Sequence, residues 1–398
     1  MDETRFDQIA RAISVAGTRR RALGALTGVA LGAGLAGILT HEDAEGRKSK
    51  AKKRRERKQK KRDRKKKRKC RKQSVAQACG TRCGTTVTLK PCNRTVTCPP
   101  CTPTTCDPAC VAPLTCCNGV CVDTTRDRAN CGACGVAVTA SQLCVASAPQ
   151  ACDVTCTAGN NICASTDLQT AVTAGGTIYV CPGQYTGGLI GTALSTTIIG
   201  AGSGTVLTSN TVLDGNAVAP VFNGTNSTTL NMTDLRVQNG LGATLVAGGI
   251  GLGANADATL TRVAVTGNSH TNTCGAGITV VDGSLNLIDS LVEGNTTTAL
   301  GGGVCTLNGG AAILSNTVVR LNTATGLGGG LAVGNNTAIT LTNGTLVTGN
   351  TSNTANGGGG AYIDATNTLL TISADSSITG NTPNNCLNTG TINGTCTG

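Results

Sequence analysis

The sequence has very few aromatic and histidine residues. Its 398 residues include no tryptophan, two phenylalanines, three tyrosines and two histidines. The lack of tryptophan excludes propeller repeats that carry a Trp-Asp signature. With only two histidines, zinc modules that alternate cysteine and histidine ligands are disfavoured. Residues 73–163 contain no aromatic residue, so we expect this segment to depend on covalent cross-links rather than on a large apolar core.

Positive charge is scarce outside the first 72 residues. Residues 1–72 hold 25 Lys and Arg against 8 Asp and Glu, a net charge of +17, whereas residues 73–398 carry −5. No lysine follows Lys90. The overall charge of +12 is therefore the sum of two opposite regions, and it does not indicate that the folded part binds nucleic acid.

Residues 1–44 are predicted to be an export signal or a membrane anchor. Arg19, Arg20 and Arg21 precede an uncharged stretch from Ala22 to Thr40, which is the order of the basic and apolar regions of a signal peptide. The arginine pair, with Thr18 before it and Leu23 close after, resembles a twin-arginine signal. A stretch of this length could also span a bilayer.

Residues 45–72 form a polybasic tract that we expect to be a disordered linker. Twenty Lys and Arg between Arg47 and Lys72 face only Glu56 and Asp63, and such a block repels itself. The tract could tether the protein to an anionic envelope polymer, a membrane surface or an acidic polysaccharide. It could also be a solvated spacer. Specific nucleic-acid binding is disfavoured, because the tract has no aromatic residue for base stacking.

Eighteen of the 22 cysteines lie between Cys70 and Cys181. Two CxxC pairs could suggest zinc, but they are far apart in sequence, and with an export signal ahead disulfides are the better interpretation. The stretch CCNGVCVDTTRDRANCGACG resembles the cysteine motif of stigma-specific-type proteins, which also occurs in exported bacterial proteins. That resemblance implies a small stapled module, and residues 73–163 are predicted to form it.

A repeat of about 27 residues occupies the C-terminal half of the chain. Its copies end at regularly spaced asparagines: Asn239, Asn268, Asn295, Asn322, Asn350 and Asn381. Each copy contains short stretches of β-type alternation separated by Gly and Asn, with no helical stretch. A fixed period of this length indicates a solenoid with one coil per repeat.

In a parallel β-helix, equivalent residues of successive coils lie one above another, about 4.8 Å apart. The residues three before each terminal asparagine are then predicted to form an internal apolar ladder: Val265, Val292, Val319, Val347 and Ile378. The asparagines are predicted to form a structural amide ladder at a turn, because Asn tolerates a left-handed backbone and can bond its neighbours.

The paired GG and GN motifs of these copies resemble the repeats of polymorphic outer-membrane proteins, within the pectin-lyase-like superfamily. The run LQTAVTAGGTIYVCPGQY is similar to the start of pectin-lyase-like domains, where a helix plugs one end of the coil stack. Thr166-x-x-Gln169 matches a capping box for that helix. The resemblance implies that residues 164–398 form a right-handed parallel β-helix, in an all-β protein.

Four cysteines are candidates for disulfides at the ends of the stack. Cys163 and Cys181 flank the helix and could pair, and Cys386 and Cys396 could close the other end. Cys274 and Cys305 lie in neighbouring repeats but out of register, so their pairing is left open.

The resemblance also implies a possible enzyme, since pectin-lyase-like proteins include polysaccharide lyases and glycoside hydrolases. Aligning the repeats places Arg262 beside Asp289, with Asp234 and Glu293 nearby. These four residues are the candidate catalytic cluster, although a surface ion pair is the simpler interpretation. His270 is expected to be a loop residue. No metal or other cofactor is expected.

Two hypotheses follow from the sequence. The first is an exported cell-surface or envelope-associated structural or adhesion protein that displays a β-helix rod. The second is a polysaccharide lyase or glycoside hydrolase that uses the candidate cluster.

Overall fold

The structure is a computed structural model that describes residues 57–62, 86–89, 94–98, 106, 109–192, 195–224, 227–243, 247–272, 274–364 and 367–396. The chain divides into two units, Met1–Ser74 with Leu89–Arg94, and Val75–Thr88 with Thr95–Gly398. In the first unit, residues 57–62 form a short helix with all six residues exposed. The side chains of Lys, Arg and Gln favour helix in these six residues, and the disorder of residues 45–72 as a whole stays a prediction. The predicted export signal and the rest of the polybasic tract lie outside the described residues.

The second unit is dominated by a parallel β-solenoid, so the predicted fold class is confirmed. Each coil contributes one strand to each of three long parallel sheets, which we name sheets A, B and C. Five coils add a two-residue strand to a fourth sheet, sheet D. Asparagines that bond across neighbouring coils are 27 or 28 residues apart in most coils, which matches the predicted period.

Sheet A consists of eight strands: β10 (Leu189–Gly191), β13 (Phe222–Gly224), β17 (Ile250–Leu252), β21 (Ile278–Val281), β25 (Val304–Leu307), β29 (Leu331–Val333), β33 (Ala361–Ile363) and β36 (Cys386–Asn388). Sheet B consists of nine: β8 (Gly176–Tyr179), β11 (Ser195–Ile199), β14 (Thr229–Thr233), β18 (Asp257–Thr261), β22 (Ser284–Ile288), β26 (Ala311–Ser315), β30 (Ala338–Thr342), β34 (Leu369–Ile372) and β37 (Thr391–Asn393).

Sheet C also consists of nine strands: β7 (Ile162–Ala164), β9 (Gly183–Thr186), β12 (Thr211–Asp214), β15 (Arg236–Gln238), β19 (Ala264–Thr266), β23 (Leu291–Glu293), β27 (Val318–Arg320), β31 (Leu346–Thr348) and β35 (Ser377–Thr379). Sheet D contains β16 (Leu241–Gly242), β20 (Ser269–His270), β24 (Thr296–Thr297), β28 (Thr323–Ala324) and β32 (Thr351–Ser352). His270 is therefore a buried residue of sheet D, and its expected position in a loop was wrong.

The remaining strands form three two-stranded sheets before the solenoid. They are β1 (Thr86–Leu89) with β2 (Arg94–Thr97), β3 (Thr115–Cys117) with β4 (Val120–Val122), and β5 (Gln142–Val145) with β6 (Ala148–Ala151). The last two pairs are antiparallel hairpins of the cysteine-rich segment. None of the helices in the described parts of the chain is both long and apolar enough to cross a membrane.

One helix, α1 (Thr166–Ala174), covers the first coil. Its Leu168 and Val172 side chains are fully buried against the solenoid core, as the predicted plug requires. The expected capping box is not formed, because Ser165 is the N-cap residue and Thr166 is already helical. Gln169 instead bonds the backbone of Ile190 in β10, accepting from its N–H (2.7 Å) and donating to its carbonyl (3.0 Å).

The predicted apolar ladder lies inside the solenoid. Val265, Val292, Val319, Val347 and Ile378 follow one another in the register of sheet C, and all are buried. Sheets A and B contribute further inward rows of Leu, Ile and Val to the same continuous core. Stacking like on like along the axis packs this core with small β-branched and aliphatic side chains, which explains how the fold forms with so few aromatic residues.

The asparagine ladder is also present, with one change. Asn268, Asn295, Asn322, Asn350 and Asn381 are buried. Oδ1 of each of the last four accepts hydrogen bonds from the backbone and side-chain N–H groups of the preceding ladder asparagine, whereas Oδ1 of Asn268 accepts from the backbone N–H of Gly240. These contacts are 2.9–3.0 Å, except that Gly240 supplies the first backbone donor at 2.8 Å. Asn239 is not a member, because it lies one residue before the ladder and donates to Asp214 instead.

The left-handed residue at this turn is the one before each ladder asparagine. It is glycine in four coils, Asn239 in the first and Leu321 in another, with φ between 53° and 66°. The prediction that the terminal asparagines themselves adopt this conformation holds at Asn239 and was wrong for the five ladder asparagines. The ladder asparagines form the hydrogen bonds between coils, while the preceding residue, most often glycine, adopts the left-handed conformation of the turn.

Every described cysteine is in a disulfide, and eight pairs have both partners described. Four pairs staple the segment before the solenoid: Cys106–Cys116, Cys110–Cys121, Cys117–Cys134 and Cys131–Cys144. The sulfur atoms of Cys106, Cys110 and Cys121 lie close together, but all three are oxidised. No thiolate of this cluster is therefore left to bind zinc.

Cystines also lie at both ends of the solenoid. Cys386 pairs with Cys396 at the last coil. At the first coil Cys163 pairs with Cys156 and Cys181 with Cys152, so the suggested Cys163–Cys181 pairing is not formed. The reason is that residues 152–156 run beside the first coil, where Val154 bridges to Val180, and place two nearer partners there. Cys274 and Cys305 are paired between neighbouring coils.

Candidate functional site

In five coils sheets B and C meet at a sharp corner, where one residue adopts a left-handed conformation. The corner residues are Asp234, Arg262, Asp289, Asn316 and Asn343, with φ between 49° and 56°. They are stacked by the register of sheet B. Asp and Asn tolerate this conformation through local hydrogen bonds, whereas Arg262 is the exception. Three of the four candidate catalytic residues therefore lie in one column.

Asp234 and Arg262 form a two-point ion pair between adjacent coils. Arg262 donates from Nε to Oδ1 of Asp234 at 2.7 Å and from Nη2 to Oδ2 at 2.8 Å. This fork geometry matches a carboxylate and orients both groups. The repeat alignment placed Asp234 only near this column, because Asn239, which ends the first copy of the repeat, lies one residue out of register with the ladder.

The cysteine-rich segment adds two charged residues to this pair. Arg126 donates from Nη1 to Asp234 at 3.4 Å, and its Nε lies 2.9 Å from Oδ2 of Asp123. Asp123 and Arg126 belong to the VDTTRD part of the cysteine motif, and no feature of the sequence indicated that they would reach the solenoid.

Burial is the dominant influence on Asp234. It raises the pKa of the Asp234 carboxyl to about 6, while Arg126 opposes the rise and Asp123 adds to it. A carboxyl with a raised pKa in a cleft is a usual property of a general acid. Here, however, both carboxylate oxygens are engaged by arginine side chains.

The other two candidate residues have different partners. Asp289 accepts a hydrogen bond from Nδ2 of Asn316 at 2.7 Å. Glu293 lies on sheet C and pairs with Nε of Arg320 on the next coil at 2.9 Å. The structure thus brings Asp234 and Arg262 together, and divides the four residues among three separate contacts.

Two cavities adjoin this corner. The larger, about 950 Å³, lies between the cysteine-rich segment and the first coils, and is lined by Asp123, Arg126, Leu143, Ile199 and Asp234 among others. The smaller, about 450 Å³, lies on the outer side of sheet C and includes Arg236, Arg262, Asp289, Leu291 and Val318. Arg262 borders both.

Hydrolysis of a glycosidic bond needs two carboxyl groups that face one substrate. In the larger cavity Asp123 and Asp234 both contact Arg126, which lies between them as a shared cation. The arrangement can therefore hold the cysteine-rich segment against the solenoid, with Arg126 contacting both acids of this cavity.

No protein-family model, curated protein or solved structure matches the chain. The resemblance to pectin-lyase-like and outer-membrane repeats therefore stays a prediction from the residues, while the solenoid is shown directly by its strand register.

Proposed function

We propose that the protein is an exported structural protein of the cell surface or envelope, in which the solenoid is a rigid display rod. The observation that carries this proposal is the continuous asparagine ladder, which links coil to coil from Gly240 to Asn385. Buried amides that bond successive coils over this length resist bending and fraying. The cystines fit an oxidising extracellular environment, which supports export.

The polybasic tract, residues 47–72, is proposed to tether the rod to an anionic envelope polymer, a membrane surface or a polysaccharide. Its positive charge contrasts with the net negative charge of residues 73–398. Electrostatic attachment of this kind is screened by salt.

The tether is tested in cells that produce the full chain, a chain lacking residues 47–72, and a chain in which those residues are replaced by a Gly/Ser segment of equal length. We expect both variants to be released into the medium and the natural protein to be released by moderate salt. Retention of the Gly/Ser variant would show that the tract acts only as a spacer.

A polysaccharide lyase or glycoside hydrolase is the second candidate, favoured by the 950 Å³ cavity beside Asp234. Its residues would be Asp234, Arg262, Asp289 and Glu293. The full oxidised chain is incubated with acidic and neutral polysaccharides, with and without calcium, and reducing ends and unsaturated products are measured. We expect no product. If product forms with the natural protein and disappears in folded Asp234→Asn or Asp289→Asn variants, the protein is an enzyme and the display-rod proposal is wrong.

A further inference from the structure

The outer side of sheet C differs from the outer sides of the other long sheets. On sheet A the outward residues Gly251, Thr279, Cys305 and Ala332 are buried beneath neighbouring segments. On sheet B the outward residues from β22 to β30 are uncharged, and include Asn286, Ile288, Ile313, Ser315, Thr340 and Thr342. On sheet C, strands β19, β23, β27 and β31 each have one apolar and one polar outward residue, and the polar residues of β23 and β27 are charged. We call this surface the sheet C face.

The sheet C face consists of three rows along the rod. The first is apolar: Ala264, Leu291, Val318 and Leu346. The second is polar: Thr266, Glu293, Arg320 and Thr348. The third holds the left-handed turn residues: Gly267, Gly294, Leu321 and Gly349. Side chains of the cysteine-rich segment contact Thr208 and Asp234, on the coils before this face.

Leu321 is the unusual residue of the face. It has φ 55°, at a position where the neighbouring coils have glycine. Its side chain remains 58% exposed, so burial within the chain does not compensate for the backbone conformation. A strained residue that exposes an apolar side chain is a reason to look for a binding role.

We propose that the sheet C face binds the same face of a second copy, with the two rods antiparallel. The two-fold axis lies in the interface, perpendicular to the rods, and passes between β23 and β27. It relates each strand of one copy to a strand of the other. Such an interface is self-complementary, because each contact occurs twice.

Under this axis each row of one copy faces the same row of the other copy. Glu293 of one copy meets Arg320 of the other, so the charges on adjacent coils form two additional pairs across the interface. Both side chains are accessible for this, with 28% and 46% of their surface exposed. In the apolar row Leu291 meets Val318, whereas Ala264, which is only 4% exposed, adds little contact opposite Leu346.

In the third row, a projecting side chain lies opposite an open space above a glycine. Leu321 of one copy lies over Gly294 of the other, and the space above Gly294 is open, with no atom within 4 Å of an added Cβ. The alternative two-fold axis, along the rods, would instead place the apolar row against the charged row. The antiparallel arrangement is therefore the one that the residues favour.

The face is narrow, since the sheet C strands are three residues long. We therefore expect an association of modest affinity, and the experiment covers a wide range of protein concentration. Sedimentation velocity of the full oxidised chain is expected to show a monomer that converts to a dimer as concentration rises.

The decisive comparison uses Glu293→Arg and Arg320→Glu. Each variant alone presents like charges at both central contacts, so each is expected to remain monomeric. Mixed together they present opposite charges, and we expect a heterodimer with an affinity close to that of the natural homodimer. Repair of the fold cannot explain this rescue, because each chain keeps its own substitution.

Leu321→Gly gives an independent readout. It is expected to weaken the dimer about tenfold, yet to raise the unfolding midpoint of the monomer because the backbone strain is removed. A natural protein that stays monomeric at every concentration, or single charge variants that still dimerise, would overturn the proposal. So would a mixture that fails to associate.

Discussion

At the scale of single residues, the stability of the solenoid depends on whether each buried polar group has a hydrogen-bond partner. Thr196 and Thr211 are both fully buried. The Thr211 hydroxyl donates to the carbonyl of Val180 (2.9 Å) and accepts from the N–H of Ala201 (2.9 Å). The Thr196 hydroxyl has no hydrogen-bond partner among the described residues. An unpaired buried hydroxyl costs free energy that a methyl group does not.

We therefore predict opposite effects for the same substitution at these two sites. Thr196→Val should raise the free energy of unfolding by about 1 kcal/mol, and Thr211→Val should lower it by about 2 kcal/mol. Denaturant unfolding followed by far-UV circular dichroism measures both. Equal effects of the two substitutions would show that hydroxyl pairing is not what distinguishes the sites.

A second residue-scale prediction concerns Tyr185. This side chain is 2% exposed, and its hydroxyl donates to the carbonyl of Cys181 at 3.0 Å. Burial raises the pKa of Tyr185 to about 12. Because the folded-state value is above the unfolded value of 10, the stabilisation is complete below pH 10 and is lost as pH rises toward 12.

The absence of tryptophan makes this measurable by tyrosinate absorbance. The chain has three tyrosines, and we expect the last ionisation step to be that of Tyr185, coincident with alkaline unfolding. Tyr185→Phe should lack this step and lose less stability between pH 10 and 12. An unchanged titration curve in the variant would contradict the assignment.

At the scale of elements, the ladder asparagines are the strongest polar contribution to the stack. Asn295 is fully buried, accepts two hydrogen bonds from Asn268, and donates to Oδ1 of Asn322 (2.9 Å) and the carbonyl of Val265 (3.0 Å). Its position could be predicted from the repeat, because identical residues recur at the same period. Its backbone conformation could not, since the neighbouring glycine makes the turn.

Removing this amide should interrupt the ladder. We predict that Asn295→Ala lowers the free energy of unfolding by about 3 kcal/mol, because buried donors and acceptors on two coils lose their partner. Asn286→Ala, on the outer side of sheet B in the same coil, is the matched control and should change stability by less than about 0.5 kcal/mol. Similar losses for the two variants would argue against a special role of the ladder.

At the scale of the whole molecule, each coil contacts only its neighbours, so stability is local and the ends are the weak points. Helix α1 and the Cys152–Cys181 bond cover the first coil, and Cys386–Cys396 closes the last. The charged contact of Arg126 with Asp234 joins the cysteine-rich segment to the same end as the helix.

Removing the cystine at one end should therefore loosen that end first. A variant with both Cys152 and Cys181 changed to Ala is predicted to lose about 3 kcal/mol of local stability, seen as faster hydrogen exchange in β8 and β11. The equivalent change at Cys386 and Cys396 should affect β36 and β37 instead. Uniform acceleration along the rod in either variant would indicate one cooperative unit rather than local opening.

The candidate site was less predictable than the fold. The period placed Arg262 and Asp289 in one column, because strand register follows directly from repeat length. It did not show that Asp234 and Arg262 form the ion pair, because the first copy of the repeat is offset by one residue at Asn239. Asp123 and Arg126 were missed, since their contact with the solenoid depends on how an irregular, disulfide-stapled segment packs.

The sequence by itself determined the coil, its length, the apolar and amide ladders and the reliance on cystines, because each of these is a local pattern repeated at a fixed spacing. Only the tertiary structure decided which cysteines pair, which residue makes each left-handed turn, and which charges meet at the corner of sheets B and C. Those outcomes depend on the distance between segments far apart in the chain, and no local pattern encodes that distance.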